Sequence, residues 1–437
     1  MKKSRFAVLA AVMVSLGAGL PAPHWLPPAA PFAAVCEAAS HIDESIRPIQ
    51  LAVNNHRMID ADGQGELLRS SETMVVFTGS AASEGVEELQ KALWAYNKEN
   101  MEQRVKFRAK LVEQAKADRA ERQAAGATTF PDYQDMNDVF IRRADTLAVS
   151  LLEWSFNYEG GVHGMSGVRG RNFDSKTGRE LMLSDVCPDL PKLAGVIKEQ
   201  LCREYPNASF VANGAETVDY LMGAGNIAWT LDPTGVSFYF NPYLIASYSE
   251  GIFTTTVLFD EHPELFVEKY CRAPKSYCME LRPWTPVRTA FADGSARAVQ
   301  VQQTSATAEK LTVICGGARY VEPGFARDVK ATLVSLEDGR RYIYADILSD
   351  DKEYETYIYD LNGDEPTRVP MERTMTRHAA VRAAKPGKPG ENIFYILSDP
   401  EDFLMNDLDT PKPLRPLRSC RVGEDGRPEV TWVQGMG

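Results

Sequence analysis

Residues 85–125 read GVEELQKALWAYNKENMEQRVKFRAKLVEQAKADRAERQAA and contain no proline. Ala, Glu, Lys, Gln and Arg, the strong helix formers, dominate the stretch. Leu89, Leu93, Tyr96, Val105 and Leu111 fall roughly on one face, and Trp94 and Phe107 widen it. The pattern predicts one long amphipathic helix that frays where charge takes over after Ala117. Strand-like segments stand on both sides of it. SETMVVFTG precedes it, and DVFIRRADTLAVSLLEWSFNYEGG follows, with one strand from about Val139 and another from about Thr146. A long helix between β-rich segments points to an α+β fold rather than an all-helical or all-β one.

The 437 residues suffice for two or three domains. Further along, PDLPKLAGVIKEQLCREY reads as a helix with Asp189 placed to favour its N-terminal dipole. NIAWTLDPTGVSFYFNPYLIASYSEGIFTTTVLF reads as strand, turn, strand, loop, strand, with Pro and Gly in DPTG setting the turn. After about Pro283 short strands take over. Asp338-Gly339 between VKATLVSLE and RRYIYADIL is a hairpin signal, and ENIFYIL and PEVTWV add strands. The expected organisation is a leader at 1–38, an α+β subdomain with the long helix at 40–165, a second at 166–283, both with antiparallel sheets, and a β-rich C-terminal domain at 284–437.

The leader is read from Lys2, Lys3 and Arg5, followed by FAVLAAVMVSLGAGL, too short for a membrane span but of signal-peptide length. CEA supplies small residues for cleavage after Ala38. The chain is therefore expected to be exported, secreted or held in the periplasm or cell envelope. No later run approaches a membrane span. A net charge of −12 argues against non-specific nucleic-acid binding and is compatible with a cationic partner. Cleavage would remove Cys36 and leave six of the seven cysteines. In an exported protein these suggest disulfides among Cys187, Cys202, Cys271, Cys278, Cys315 and Cys420. Fifteen pairings are possible; Cys187–Cys202 and Cys271–Cys278 are preferred, which leaves Cys315–Cys420. No C-x-x-C spacing supports a metal site, and no cofactor fingerprint, nucleophile elbow or phosphate loop is present.

Three ordered pieces, SLLEWSFNYEGGVHG, RNFDSKTGRELMLSDV and FYFNPYLIASYSEGIFTTTV, lie within residues 146–259. Together they resemble an extracytoplasmic domain family of unknown function, found at the C-terminus of the anti-sigma factor RsiV and beside the catalytic domain of the peptidoglycan deacetylase PdaC. The preceding strand and long helix resemble the partner domain that usually comes first. The resemblance implies two small α+β subdomains and an accessory or sensing role, with lysozyme as the ligand of RsiV-type domains. It does not extend to an anti-sigma module, to the Thr-Phe-Asp-Asp-Gly motif of a deacetylase, or to the chain after Pro283.

The Gly-Gly-x-His-Gly sequence at Gly160 to Gly164 poses the main chemical question. Read structurally, the glycines tighten a hairpin and His163 bonds its own turn. Read chemically, His163 needs a carboxylate or phenol as acid–base partner, and Glu153, Asp174, Tyr158 and Asp185 are the candidates. Asp174 otherwise closes the turn DSKTG. Phe238, Tyr239, Phe240, Tyr243 and Tyr248 are expected to divide between core and a face that stacks on sugar rings. Tyr158, His163, Tyr243 and Tyr248 are the candidate binding residues. The expected function is a non-enzymatic binding or accessory protein of the bacterial envelope, its ligand a glycan, a peptidoglycan fragment or a cationic protein such as lysozyme. The alternative is an envelope polysaccharide or peptidoglycan hydrolase using His163 with a nearby carboxylate.

Overall fold

The computed structural model describes residues 43, 45–77, 85–213, 215–303, 309–349 and 354–370, and, as backbone alone, short strands between residues 375 and 432. The expected leader, with Cys36, lies outside the described residues. Strands β1 (Leu51–Asp62), β2 (Gly65–Phe77), β3 (Tyr133–Ala144), β4 (Ala148–Tyr158) and β5 (Met165–Asp174) form one sheet in that order. All its pairings are antiparallel except β2 with β3, which run parallel only over Leu68–Tyr133 to Ser70–Asp135. The expected boundary at 165/166 falls on β5, which pairs with β4 along its length.

The proline-free run forms α1 (Glu87–Ala124), with Glu87 and Glu88 in its first turn and Arg122 in its last, where each suits the helix dipole. Leu89, Leu93, Tyr96 and Leu111 are buried as the helical period predicts. Val105 and Trp94 are exposed. Counting from Leu93 in turns of 3.6 residues, the sheet-facing row runs through Asn97, Asn100, Arg104, Phe107 and Leu111, and Val105 stands off it. Leu89 and Leu93 pack with Leu51, Val75, Val139, Val149, Leu151 and Phe173 in an apolar core between helix and sheet.

Next come α2 (Leu183–Val186), α3 (Leu190–Glu204), α4 (Phe210–Asn213) and α5 (Ala215–Gly223), then β6 (Ala228–Asp232), β7 (Gly235–Phe240) and β8 (Phe253–Leu258) in a three-stranded sheet. Asp189 caps α3 by accepting from the Lys192 N–H at 3.0 Å. Phe238 and Phe240 join the helices in one core, while Tyr239 points to the other side, against Phe140, Leu152 and Val168 of the first sheet. All three are fully buried, so neither face of β7 is free to stack on a sugar.

The C-terminal region is β-rich, as expected. β9 (Tyr277–Leu281), β14 (Asp328–Ser335), β15 (Arg341–Leu348), β16 (Tyr354–Asp360) and β17 (Thr367–Arg368) form one sheet, and β10 (Val287–Ala290), β11 (Ala296–Gln302), β12 (Glu309–Cys315) and β13 (Ala318–Pro323) another. They enclose a common core. Asp338-Gly339 makes the β14–β15 hairpin, with Gly339 at φ 82°. β9 precedes the expected boundary at 283/284 yet pairs with β14. The region is tied to the first sheet by Lys330 on Asp138 and by Glu280, which accepts from the Ile141 N–H at 2.7 Å.

The disulfide expectation is corrected. Cys187, Cys202, Cys271 and Cys315 are thiols, which leaves none of the three preferred pairs formed. The local spacing that suggested them is absorbed by packing. Cys187 and Cys271 are both buried, with Sγ directed at the carbonyls of Asp189 and Val267. Cys278 sits in β9 opposite Val334. Burial pushes the Cys187 and Cys271 thiols up to about 11. The side chain of Cys420 lies outside the described residues.

Candidate functional site

The three candidate acid–base residues stand along the β4–β5 hairpin and do not converge. Glu153 is opposite Arg169 on β5. His163 lies six residues from Arg169 toward the hairpin tip, and Asp174 five residues the other way. At about 3.3 Å per residue each is on the order of 15–20 Å from Glu153 along the strands.

At the tip the glycines are required by geometry. Gly160 has φ 74°, and a Cβ on Gly164 would lie 2.3 Å from Phe156 Cζ. His163 Nδ1 is 3.0 Å from the Gly164 carbonyl oxygen. Its ring stacks on Tyr248 with centroids 4.3 Å apart, and Tyr248 stacks on Tyr243 at 5.7 Å. The Tyr248 hydroxyl donates to the Gly164 oxygen at 2.5 Å and the Tyr158 hydroxyl to the Gly161 oxygen at 3.0 Å. Three of the four candidate binding residues thus form one ladder, and Tyr158 braces the turn beside it. Tyr243 ends the ladder 59% exposed and at φ 70°, a backbone conformation that costs a non-glycine residue on the order of 1 kcal/mol or more.

Asp174 closes its turn by accepting from Lys176, Thr177 and the Thr177 hydroxyl, and pairs with Lys269 at 2.6 Å. Burial opposes its charge, but Lys269 and Thr177 prevail and hold the carboxyl below its usual range. Asp185 accepts from Met182 N and Arg179. Neither is available to His163.

Glu153 instead lines a cleft of about 650 Å³ between the middle of α1 and the sheet. The cleft exists because β2 and β3 part after their short parallel pairing. Asn97 of α1 fills the start of the gap, its amide bonding both the N–H and the carbonyl of Val75 on the open edge of β2 (2.9 and 2.7 Å). Beyond it Glu72, Tyr96, Asn100, Arg104, Phe107 and Trp154 line the wall, with Asn137 below them. At the far rim Asn241 bonds the N–H and carbonyl of Val168 on the edge of β5 (2.7 and 3.0 Å). Two residues on, Tyr243 begins the exposed ladder.

Several polar groups in this wall are buried and lack partners. Asn137 Oδ1 and Trp154 Nε1 have no hydrogen-bond partner, and the Tyr96 hydroxyl has only Glu153 and Asn100 beside it. Glu72 is 7% exposed and its side chain makes no ion pair or hydrogen bond among the described residues; Arg108, His56 and Arg104 act on it only at a distance. Burial pushes the Glu72 carboxyl above its usual range. Burial raises Asp135 too, against the opposing Arg104 guanidinium at 3.1 Å. The Tyr96 phenol is pushed well up by burial and then by neighbouring Glu153, so it stays protonated and able to donate. Arg169 at the rim is exposed and makes no ion pair among the described residues. A cavity with aromatic walls and convergent, unsatisfied polar groups is the usual form of a small-molecule site. Of the site candidates read from the sequence only Glu153 lines it, and the sequence reading makes it a partner for His163 instead. The signal it passed over is Asn97 and Asn100, two poor helix formers in mid-helix.

Residues 185–260 match the family described as "Protein of unknown function (DUF3298)". Among solved structures, a DUF3298 family member from Bacteroides fragilis NCTC 9343 is 17% identical over 51% of this chain and 95% of its own, with a TM-score of 0.39. Another from Pseudomonas aeruginosa PAO1 is 14% identical over 52% of this chain and 97% of its own, with a TM-score of 0.33. No curated protein matches the chain. The matched residues run from α2 to just past β8 and include Asn241, Tyr243 and Tyr248. The α1 and sheet residues of the cleft precede them.

Proposed function

We propose that this is an exported, non-enzymatic protein of the bacterial envelope that binds a glycan in the cleft between α1 and the five-stranded sheet. The observation that carries the proposal is the polar wall of this cavity, with Asn137 Oδ1 and Trp154 Nε1 unpartnered and the Tyr96 hydroxyl beside Glu153, next to the rings of Tyr96, Phe107 and Trp154. A sugar ring offers what such a wall needs, hydroxyl groups at its edge and an apolar face for an aromatic ring. The charged start and apolar core of the sequence support export, and among the described residues no helix is long and apolar enough to cross a membrane. The resemblance to RsiV- and PdaC-type domains supports an envelope setting. His163 favours binding over hydrolysis, because its ring is held by Gly164 and Tyr248 rather than by a carboxylate.

Calorimetry of the mature chain with oligosaccharides of glucose, N-acetylglucosamine and glucosamine, and with peptidoglycan fragments, tests the proposal. Saturable binding is expected, weakened about tenfold by Tyr96→Phe, the worth of one hydrogen bond made to the ligand. Absence of binding to every glycan, or binding indifferent to Tyr96→Phe, overturns it. The net charge of −12 favours a second reading, a cationic protein of lysozyme type. That partner would bind without the cleft and lose affinity steeply with added salt.

A further inference from the structure

Glu72 and Glu153 set the cleft apart from a neutral sugar site. A carboxylate removed from water is costly unless a cation or several donors compensate it. Glu72 is 7% exposed and lines the cleft, and its side chain makes no ion pair or hydrogen bond among the described residues. Glu153, half-buried, lines the same cleft with the Tyr96 hydroxyl beside it and makes no ion pair among the described residues. The other charges of the wall are already engaged or peripheral. Arg104 is held by Asp135, Asp138 is covered by Lys330, and Arg169 stands exposed at the rim. Two acids without cations of their own therefore share one aromatic-walled cavity.

Resting on the glycan reading, we infer that the cleft recognises a saccharide bearing a free amine, its ammonium group compensating Glu72 and Glu153 while its ring lies against Tyr96 and Phe107. An ammonium offers three donors and a positive charge, which is what two acceptor-only groups lack. An acetylated amine is neutral and bulkier and leaves both carboxylates uncompensated. Discrimination should thus be strong, because the wrong ligand strands buried charge.

The test compares a β-1,4-linked glucosamine tetramer with its fully N-acetylated counterpart, by calorimetry on the mature chain at pH 6.5 and 0.15 M salt. Binding of the glucosamine tetramer at least tenfold tighter than the acetylated one is expected, with Glu72→Gln or Glu153→Gln removing most of the difference. These near-isosteric variants are first checked for an unchanged circular dichroism spectrum and melting profile no lower than the parent's. Equal or tighter binding of the acetylated tetramer overturns the inference and leaves the glycan reading standing. A preference for glucosamine that neither variant changes overturns it too, since it would report attraction to the acidic surface as a whole. If neither tetramer nor any other glycan binds, the inference falls together with the reading beneath it.

Discussion

At Leu89 and Leu93, α1 lies on Val75, Val139 and Leu151 with almost no accessible surface. Two turns further on, from Asn100 to Phe107, the same helix faces the same sheet across a cleft of about 650 Å³ lined by Glu72, Glu153 and Asn137. Helix and strands continue through both regions, but the layers close on one another only at the first. At the first region β-branched and leucine side chains interdigitate and exclude water. At the second, beside the point where β2 and β3 part, Glu72, Asn137 and Glu153 line the gap in place of apolar side chains. One stretch of the interface stabilises the fold. The other weakens it and keeps a cavity with unmet hydrogen-bonding capacity, the trade expected where function opposes stability.

Substitution at the dry end should have the largest effect. Leu93→Ala removes a side chain that is 1% exposed within an apolar cluster. It should cost about 3 kcal/mol, the transfer loss plus the cavity left behind. Denaturant titration would read this directly. A loss under about 1 kcal/mol would mean that the dry end collapses around the gap and that the two regions are less different than they look.

A change at the wet end should act in the opposite direction and less strongly. Glu72→Gln removes a buried carboxylate that makes no ion pair among the described residues and whose burial outweighs the distant Arg108, His56 and Arg104. It should stabilise the free protein at pH 7 by about 1 kcal/mol. The sign follows from linkage. A carboxyl raised above its ordinary value of 4.5 favours the folded state once protonated, and that contribution is lost as pH rises through the folded value. The advantage of the variant should therefore be full at pH 7, shrink as pH falls through the raised value, and vanish near 4.5. Melting curves of parent and variant from pH 4 to 8 would show it. A variant less stable at pH 7 would mean that the carboxylate is compensated and that the cleft holds no unmet charge.

Much of the dry end was legible in the sequence. The apolar period of Leu89, Leu93, Tyr96 and Leu111 placed the helix and its buried face, and alternation in LAVSLLEW placed β4. The structural reading of Gly-Gly-x-His-Gly, a tight turn in which His163 meets its own backbone, matches the fold, and the binding candidates Tyr243 and Tyr248 stack with His163 in one ladder. The cleft was not legible, for a physical reason. It depends on where β2 and β3 separate, and a parallel pairing of a few residues across the whole length of α1 leaves no local pattern. Asp174 was legible as a turn residue, but its partner Lys269 lies 95 residues away. The cysteines misled because an even count and an expectation of export speak to compartment, whereas pairing depends on side chains meeting in space. Val105 was assigned to the buried face by type, although the helical period sets it aside.

The smallest expected effect on stability gives the closest comparison, because Tyr96 belongs to both regions. Its ring packs in the dry core and carries the Arg171 guanidinium 5.2 Å above it, while its hydroxyl ends in the wall of the cleft beside Glu153 and Asn100. Tyr96→Phe keeps the ring, the packing and the cation–π contact, and removes only a hydroxyl whose burial is its largest perturbation. The free protein should change by less than about 0.5 kcal/mol, because relief of the desolvated group offsets the loss of its contacts with Glu153 and Asn100. Glycan affinity should nevertheless fall about tenfold if that hydroxyl donates to the ligand. Chemical denaturation and calorimetry on one preparation would give both numbers. Unchanged stability with weakened binding is the signature of a group retained for its ligand. A stability loss of more than about 1 kcal/mol would show that the hydroxyl serves the fold, and would move Tyr96 wholly into the dry half of the comparison.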